Sequence, residues 1–598
     1  MKGPGIKIAF LDGIRLHNAI TAGTRELERR KEELNQINVF PVPDGDTGDN
    51  MASTLGYIAA KTKVSKSLSI TCESMAEAAL MGSRGNSGLI MAQYLYGFSF
   101  AIRGKKTINT VDFSESLVKA IPFAEETLIT PVEGTIITVL REWAEKMFLL
   151  SVKIKDFGIL LPESLVTAKD SLLRTQFQLD ILSQQGVVDA GAQGLVDFLQ
   201  GIADFIDSGD LRDLGTIKPV TAIQHPDHGP VEEIPEFRYC SEAIVEGPDL
   251  SRNELKNELS SWGDSVIIGG HDKKFRIHIH TNTPEKVFER ISQKATLNEQ
   301  KADDMLRQVQ VKNKRASSIA LVTDSACDIP EHIMDKYQIH MIPLKITLDK
   351  STYLDKITIK PDRIYRLIGE NKISVITSQP GPVEFTELYR FLLNHYDSVI
   401  SLHLSSQLSG TWNSAFKAAS SFNDRTIHVI DSKNLCSGLG LLVLKAAEAI
   451  ASGKNCEETL KIIEESTSRT KIFVSLETLE YMIRGGRISP LKGKMAKLLN
   501  LKPLISLDPE GKGIHYGNAC GKRGNLKKIL NTSRSLLSEK GIEKYAVVHA
   551  HAREGAEDLA ERLKEIIKQD PEYIMDISTV IGINSGPGSI AVSMILQE

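Results

Sequence analysis

Residues 38–51 read NVFPVPDGDTGDNM and constrain the fold more than any other stretch. Asp44 and Asp46 flank one glycine, and Gly45 and Gly48 permit the positive φ and close backbone approach that rule out ordinary helix or strand. Pro41 and Pro43 stiffen the entrance by fixing φ. Carboxylates held this close on a tight loop suit Mg²⁺, a hard cation that keeps some waters and bridges to phosphates. Met51, Leu55, Ile58 and Ala59 then recur at helical spacing, so the loop opens into a helix whose N-terminus can seat phosphate. A metal-free Asp-Gly turn is the competing reading, and the DGDTG core alone leaves both open.

Amphipathic helical patterns follow, among them residues 74–81, rich in strong helix formers. They run into a second glycine loop, GSRGNSG at 82–88, whose amides and Ser87 hydroxyl suit phosphate, although such letters also make helix–helix turns. TPVEGTIITV (130–139) and GVVDAGAQGL (186–195) likewise place glycine and a small polar residue before a helical pattern. No GxxxxGK[ST] loop is present.

These four stretches, in this order, resemble the dihydroxyacetone kinase-like family, in particular the kinase subunit of bacterial fatty acid kinase. The resemblance implies an antiparallel barrel of about eight helices closing over ATP at one end. It implies that Asp44 and Asp46 hold the Mg²⁺ that bridges the ATP phosphates, with Asn38 and Asn50 as outer ligands or phosphate contacts. Ser87 and Gly88 would touch phosphate, and Thr135, Asp189 and Gly191 would line the nucleotide pocket. Without a Walker lysine, metal charge and positioning must carry more of phosphoryl transfer.

At 598 residues the chain exceeds one core, and roughly three to five domains are expected. Its 41% hydrophobic and 25% charged residues are those of an ordinary globular protein, and a net charge of −4 gives no argument for a nucleic-acid partner. No apolar run approaches a membrane span, and the N-terminus lacks a signal-peptide pattern. Cys72, Cys240, Cys327, Cys436, Cys456 and Cys520 are scattered without a CxxC pair, which points to a reducing cytoplasm.

A connection dotted with Pro219, Pro226, Pro230 and Pro235 marks a boundary. Residues 265–268 and 275–281 then read as strands joined by a turn containing two glycines. In RIHIHT, Ile277 and Ile279 face one way while His278 and His280 share the other face, where two imidazoles can grip one metal. A polar, solvated sheet face is the alternative. Thr283 and Pro284 start the next helix. The HIHTN pattern with the upstream Tyr239-Cys240-Ser241-Glu242 resembles the middle domain of the fatty acid kinase subunit, which implies zinc on Cys240, His278 and His280.

Beyond the polar linker at 313–318, short β-branched runs alternate with helical stretches: 319–323, 399–404, 426–430, 472–475, 546–549 and 579–583. Three strand ends are rich in hydroxyls: Asp324-Ser325, Thr377-Ser378-Gln379-Pro380 and SSQLSGT at 405–411. Hydroxyls and free amides at a helix start suit a carboxylate, while singly they read as N-caps. VTDSACDIP, ITSQPGP, HLSSQLSGT, LEYMIRGGRIS, LNLKPLI and SGPGS together resemble the DegV family of fatty acid-binding proteins. That resemblance implies that Thr377, Ser378 and Ser409 hold a fatty acid head group, that the acyl chain lies between two lobes, and that Arg523 is a basic residue near the head group. Asn584 stands where the family commonly has histidine, and could orient the carboxylate but not transfer a proton.

The expected fold is therefore multi-domain: an all-α antiparallel helical barrel (1–215), a small α/β domain (225–312) and a two-lobed α/β DegV-type domain (317–598). The expected activity is a fused fatty acid kinase that moves the ATP γ-phosphate to a bound fatty acid carboxylate, using ATP and Mg²⁺, with Zn²⁺ in the middle domain. A dihydroxyacetone-like small-metabolite kinase and a non-catalytic lipid-binding protein are the alternatives. Expected partners are a long-chain fatty acid, a downstream membrane acyltransferase and a second copy of the chain, with peripheral membrane contact at most.

Overall fold

Asp12 starts the first helix by accepting a hydrogen bond from the Arg15 amide (2.9 Å), so the chain enters α1 (Gly13–Gln36) with one orphan amide satisfied. Then come α2 (Thr47–Lys61), α3 (Leu68–Gly82), α4 (Gly85–Ala101), α5 (Thr110–Glu125), α6 (Ile136–Ser151), α7 (Phe157–Gln178), the short α8 (Asp180–Gln185) and α9 (Ala190–Asp207). From α1 to α7 each helix packs on its successor, α9 packs on α7, and α9 returns to α1, which closes a ring. Its core is apolar, with Leu27, Leu34, Met51, Leu55, Leu140 and Phe157 among its fully enclosed side chains. The expected all-helical barrel is what these residues build.

This computed structural model describes residues 7–41, 43, 45–128, 131–207, 235–271, 273–369, 374–422, 426–486 and 501–598. The proline connection at 219–230 and the last three residues of LEYMIRGGRIS, 487–489, lie outside them. Two compact units result: Met1–Thr283 with Lys294–Val309, and Pro284–Gln293 with Gln310–Glu598.

Within the first unit, β1 (Tyr239–Glu246), β2 (Asp264–His271), β3 (Lys274–Thr281) and β4 (Thr296–Asp304) form an antiparallel sheet in the order β2-β3-β1-β4. The sequence places Gly269 and Gly270 in the hairpin turn, but both lie inside β2. The reason is packing against α4: a Cβ on Gly269 would come 2.7 Å from both Leu89 and Gln93. The sheet joins the helices through the Ile268 amide on the Thr127 carbonyl (3.2 Å) and the Lys256 ammonium on the Leu128 carbonyl (2.8 Å).

In the second unit, β5 (Ile319–Asp324), β6 (His340–Ile342), β10 (Ser398–His403) and β11 (Ile427–Asp431) form a parallel sheet, order β11-β10-β5-β6. A small antiparallel sheet holds β7 (Lys345–Leu348), β8 (Ser351–Leu354) and β9 (Val375–Ser378). The third sheet runs β14-β13-β12-β17-β15-β16, from β12 (Thr470–Ser475), β13 (Leu501–Leu507), β14 (Gly513–Cys520), β15 (Ile542–His549), β16 (Ile574–Asp576) and β17 (Ile590–Leu596). Residues 579–583, expected as strand, are instead the helix Thr579–Ser585, and the last strand is β17. Val580, Ile581, Asn584 and Ser585 must all face one cavity, a spacing only a helix satisfies, so burial overrides β-branched propensity. Among the described residues no helix is long and apolar enough to cross a membrane.

Candidate functional site

Four helix N-termini converge in the first unit. A Cβ on Gly85, which has φ +59°, would sit 2.4 Å from the Asn50 amide nitrogen, and one on Gly88 would sit 2.4 Å from the Thr54 hydroxyl, so α4 starts against α2. A Cβ on Gly191 would lie 2.6 Å from the Ser87 hydroxyl, which brings in α9. The Asp189 carboxylate accepts from the Ala192 amide (2.7 Å) and from the Ile136 amide, tying α9 to the start of α6. The aligned dipoles of four such ends favour negative charge where they meet. Asn86 adds a buried Oδ1 with no partner among the described residues.

The loop before α2 is braced by Asn35, which the sequence did not single out, and by Asn38. The Asn35 Oδ1 accepts from the Gly48 amide (2.8 Å), and its Nδ2 donates to Asp49 (2.8 Å). The Thr47 hydroxyl donates to Asn38, so Asn38 shapes the loop. Asn50 is buried in the first turn of α2. Asp46 immediately precedes α2, and Asp44 lies outside the described residues. Two expected pocket residues are occupied structurally: the Thr135 hydroxyl donates to the Val132 carbonyl (2.7 Å), and Asp189 caps helices, its pKa pushed up by burial to about 6. The oxygen donors and helix ends gathered here suit the chemistry of a magnesium–phosphate group.

One sheet face carries the metal candidates, and it belongs to the same unit. Register pairs Cys240 with His280 and Glu242 with His278 across β1 and β3, and Cys240 with Asp303 and Glu242 with Lys301 across β1 and β4. Cys240, His278 and His280 are all buried, with ligand atoms within 4.8 Å of one another. The two Nε2 atoms are 3.2 Å apart, close to the about 3.3 Å separating two nitrogens on a tetrahedral zinc. Each imidazole turns its Nδ1 to a carboxylate, His278 to Glu242 at 3.0 Å and His280 to Asp264 at 3.4 Å, the outer-shell pattern of zinc histidines. The donor set fits Zn²⁺ with one position left open.

Charge links this face to the kinase-type loop. Asp46 acts electrostatically on Cys240, His280 and Lys301. Burial works against charge on Lys301, but Asp303, Glu242 and Asp46 outweigh it and keep the ammonium protonated. Burial likewise opposes charge on Glu242, yet Arg276 and His278 hold that carboxylate well below its ordinary range. Arg276 reaches Glu242 at 2.9 Å with both side chains almost wholly enclosed. Glu242 was legible as part of YCSE; Arg276 and Lys301 gave no local signal.

The second unit contains a cavity of about 510 Å³. Leu344, Leu404, Ile472, Val474, Ile505 and Val580 are among its apolar walls, and Thr377, Ser378, Ser409 and Asn584 all line it. The Ser409 hydroxyl is 2.9 Å from that of Thr411, which begins a helix, and the Asn584 amide donates to the Val580 carbonyl (2.9 Å). Arg523 is exposed in the first turn of the helix Gly521–Lys540 and is not among the cavity residues.

Three family models match along the chain. Residues 41–204 match the DAK2 domain, 236–312 the FakA-like middle domain of fatty acid kinase, and 318–597 the DegV family. A DegV domain-containing protein of Clostridium acetobutylicum is 32% identical over 279 residues, 46% of this chain and 97% of its own. Protein YloV of Bacillus subtilis is 31% identical over 296 residues, 47% of this chain but only 53% of YloV. Among solved structures, a DegV family protein from Thermus thermophilus described by its fatty acid binding is 31% identical, covering 46% of this chain and 99% of its own at a TM-score of 0.43. DegV of Bacillus subtilis, described as a fatty acid binding protein, is 30% identical over 47% of this chain and all of its own, at 0.44. Three domains in this order define the class, in which the DAK2 and middle domains indicate a kinase. Through residues 318–597 the chain belongs to the DegV family.

Proposed function

We propose that the chain is a self-contained fatty acid kinase, transferring the ATP γ-phosphate to the carboxylate of a fatty acid held in its own DegV domain. The observation that carries this reading is the presence, in one polypeptide, of a convergent set of helix N-termini beside Asp46 and a cavity walled by aliphatic side chains with hydroxyls among its lining. An insoluble acyl chain needs such a cavity, and its carboxylate needs the hydroxyls of Thr377, Ser378 and Ser409. Asn584, on the cavity wall, would orient the carboxylate.

The carboxylate oxygen forms the new bond to the γ-phosphorus as the bond to the β-phosphate oxygen breaks, giving acyl phosphate and ADP. No general base is required, because a carboxyl group with a pKa of about 4–5 is already ionised near pH 7. Magnesium, when bound, neutralises phosphate charge. Asp46 would hold it, with Asp44 as the second carboxylate, and the amides around Ser87 and Gly88 would fix the phosphates. Thr135, Asp189 and Gly191 would set the shape of the nucleotide pocket.

The test is trapping of acyl phosphate as hydroxamate from purified protein, ATP, Mg²⁺ and oleate. Hydroxamate should form, require ATP, and fall at least about a hundredfold in Asp46→Ala. Full turnover in that variant removes Asp46 from the metal site. Bound oleate without hydroxamate favours a lipid carrier whose kinase part serves another acceptor.

A further inference from the structure

The loop between α3 and α4 is two residues long, and it leaves carbonyls exposed at the end of one helix and amides at the start of the next. One buried ion pair from the sheet meets one carbonyl and one amide of these. The Arg276 Nη1 donates to the Met81 carbonyl (3.1 Å) at the end of α3, and the Glu242 Oε1 accepts from the Gly85 amide (2.6 Å) at the start of α4. A cation stands at the helix C-terminus and an anion at the N-terminus, so both charges complement the dipoles. The same Glu242 Oε1 lies 3.0 Å from the His278 Nδ1.

We propose that the Glu242–Arg276 pair is a clamp coupling the Cys240–His278–His280 metal site to the phosphate loop at residues 82–88, so that zinc and nucleotide each raise the affinity for the other. Glu242 and Arg276 are positioning residues in this scheme. His278, holding zinc through its Nε2, would keep its proton on Nδ1 and donate it to Glu242. Glu242, so oriented, holds the Gly85 amide where α4 begins, and Arg276 holds the other end of the loop. Without zinc the Glu242 carboxylate alone keeps the proton on Nδ1, and the ring lacks the ligand bond that would fix its position and, through it, the carboxylate's. The proposal rests on the nucleotide-loop reading of the DAK2 domain and is independent of the phosphoryl acceptor.

Calorimetric titration of the full chain with Mg²⁺ and a non-hydrolysable ATP analogue, zinc-loaded and zinc-stripped, tests it. Zinc-loaded protein should bind the analogue roughly tenfold more tightly, and saturating analogue should strengthen zinc binding, read by competition with a chelator, by the same factor. Equal nucleotide affinity with and without zinc overturns the proposal, as does a chain that takes up no zinc. Glu242→Gln should lower zinc affinity roughly tenfold and narrow the nucleotide difference to within about twofold. A folded Glu242→Gln that keeps the full difference overturns the assignment to Glu242. Should that variant not fold, the wild-type comparison decides alone. Neither readout uses acyl phosphate, so failure of the fatty acid reading leaves the result standing.

Discussion

Asp189 is a buried carboxyl that ties the start of α9 to the start of α6. Burial raises its pKa from 3.8 to about 6, against the lowering pull of the Ala192 and Ile136 amides. In that window the folded chain binds more protons than the unfolded one, so stability falls as pH rises. The contribution is complete below the unfolded value and is lost as pH climbs through the folded one. A pKa moved by about two corresponds to about 3 kcal/mol. Asp189→Asn keeps an oxygen for the Ala192 amide and removes the titration. The melting temperature of the wild type should therefore drop relative to that of Asp189→Asn between about pH 4.5 and about pH 6.5. A constant difference across that range would mean that the carboxyl does not titrate there.

At the scale of elements, α2 offers an internal comparison. A Cβ on Gly48 would lie 2.1 Å from the Lys31 carbonyl of α1, whereas one on Gly56 would meet nothing within 4 Å. Gly48→Ala should destabilise by about 1–3 kcal/mol and weaken nucleotide binding, because the loop carrying Asp46 must move with the helix start. Gly56→Ala should stabilise by about 0.5–1 kcal/mol. Thermal unfolding of the two variants reads both signs, and like effects would refute the close packing of α1 on α2. The same contrast explains what the sequence disclosed. Gly45, Gly85 and Gly186, all with positive φ, and the alternation of His278 and His280 are local signals, so the loops and the HxH face were legible. Glu242 meets Gly85 across 157 residues, and no periodicity announces such a pairing. The helix Thr579–Ser585 misled for the opposite reason: its β-branched letters carry a local preference that the cavity face overrules.

At the scale of the whole molecule, two ligand chemistries are divided between two compact units, and each ligand should report on its own unit. A ligand that binds only the folded state stabilises it by about 2.7 kcal/mol at a hundredfold excess over its Kd. The residues proposed for metal and nucleotide, Asp46, Ser87 and Gly88, lie in the first unit, and the cavity with Thr377 and Ser409 lies in the second. Scanning calorimetry should thus resolve transitions that respond separately, one rising with Mg²⁺ and an ATP analogue, the other with oleate. Asp46→Ala should abolish the nucleotide shift and leave the oleate shift intact. Ser409→Ala should do the reverse in part, removing one hydroxyl contact worth about 1.5–3 kcal/mol to a charged head group. A single transition raised by either ligand would mean that the chain unfolds as one cooperative block. Adding both ligands to that block then measures their linkage: stabilisations that sum leave the sites independent, and a larger combined effect means that each ligand strengthens binding of the other. Separate transitions with independent shifts instead assign the phosphate donor and acceptor to autonomous units, and coupling between them would then have to arise during turnover rather than at equilibrium.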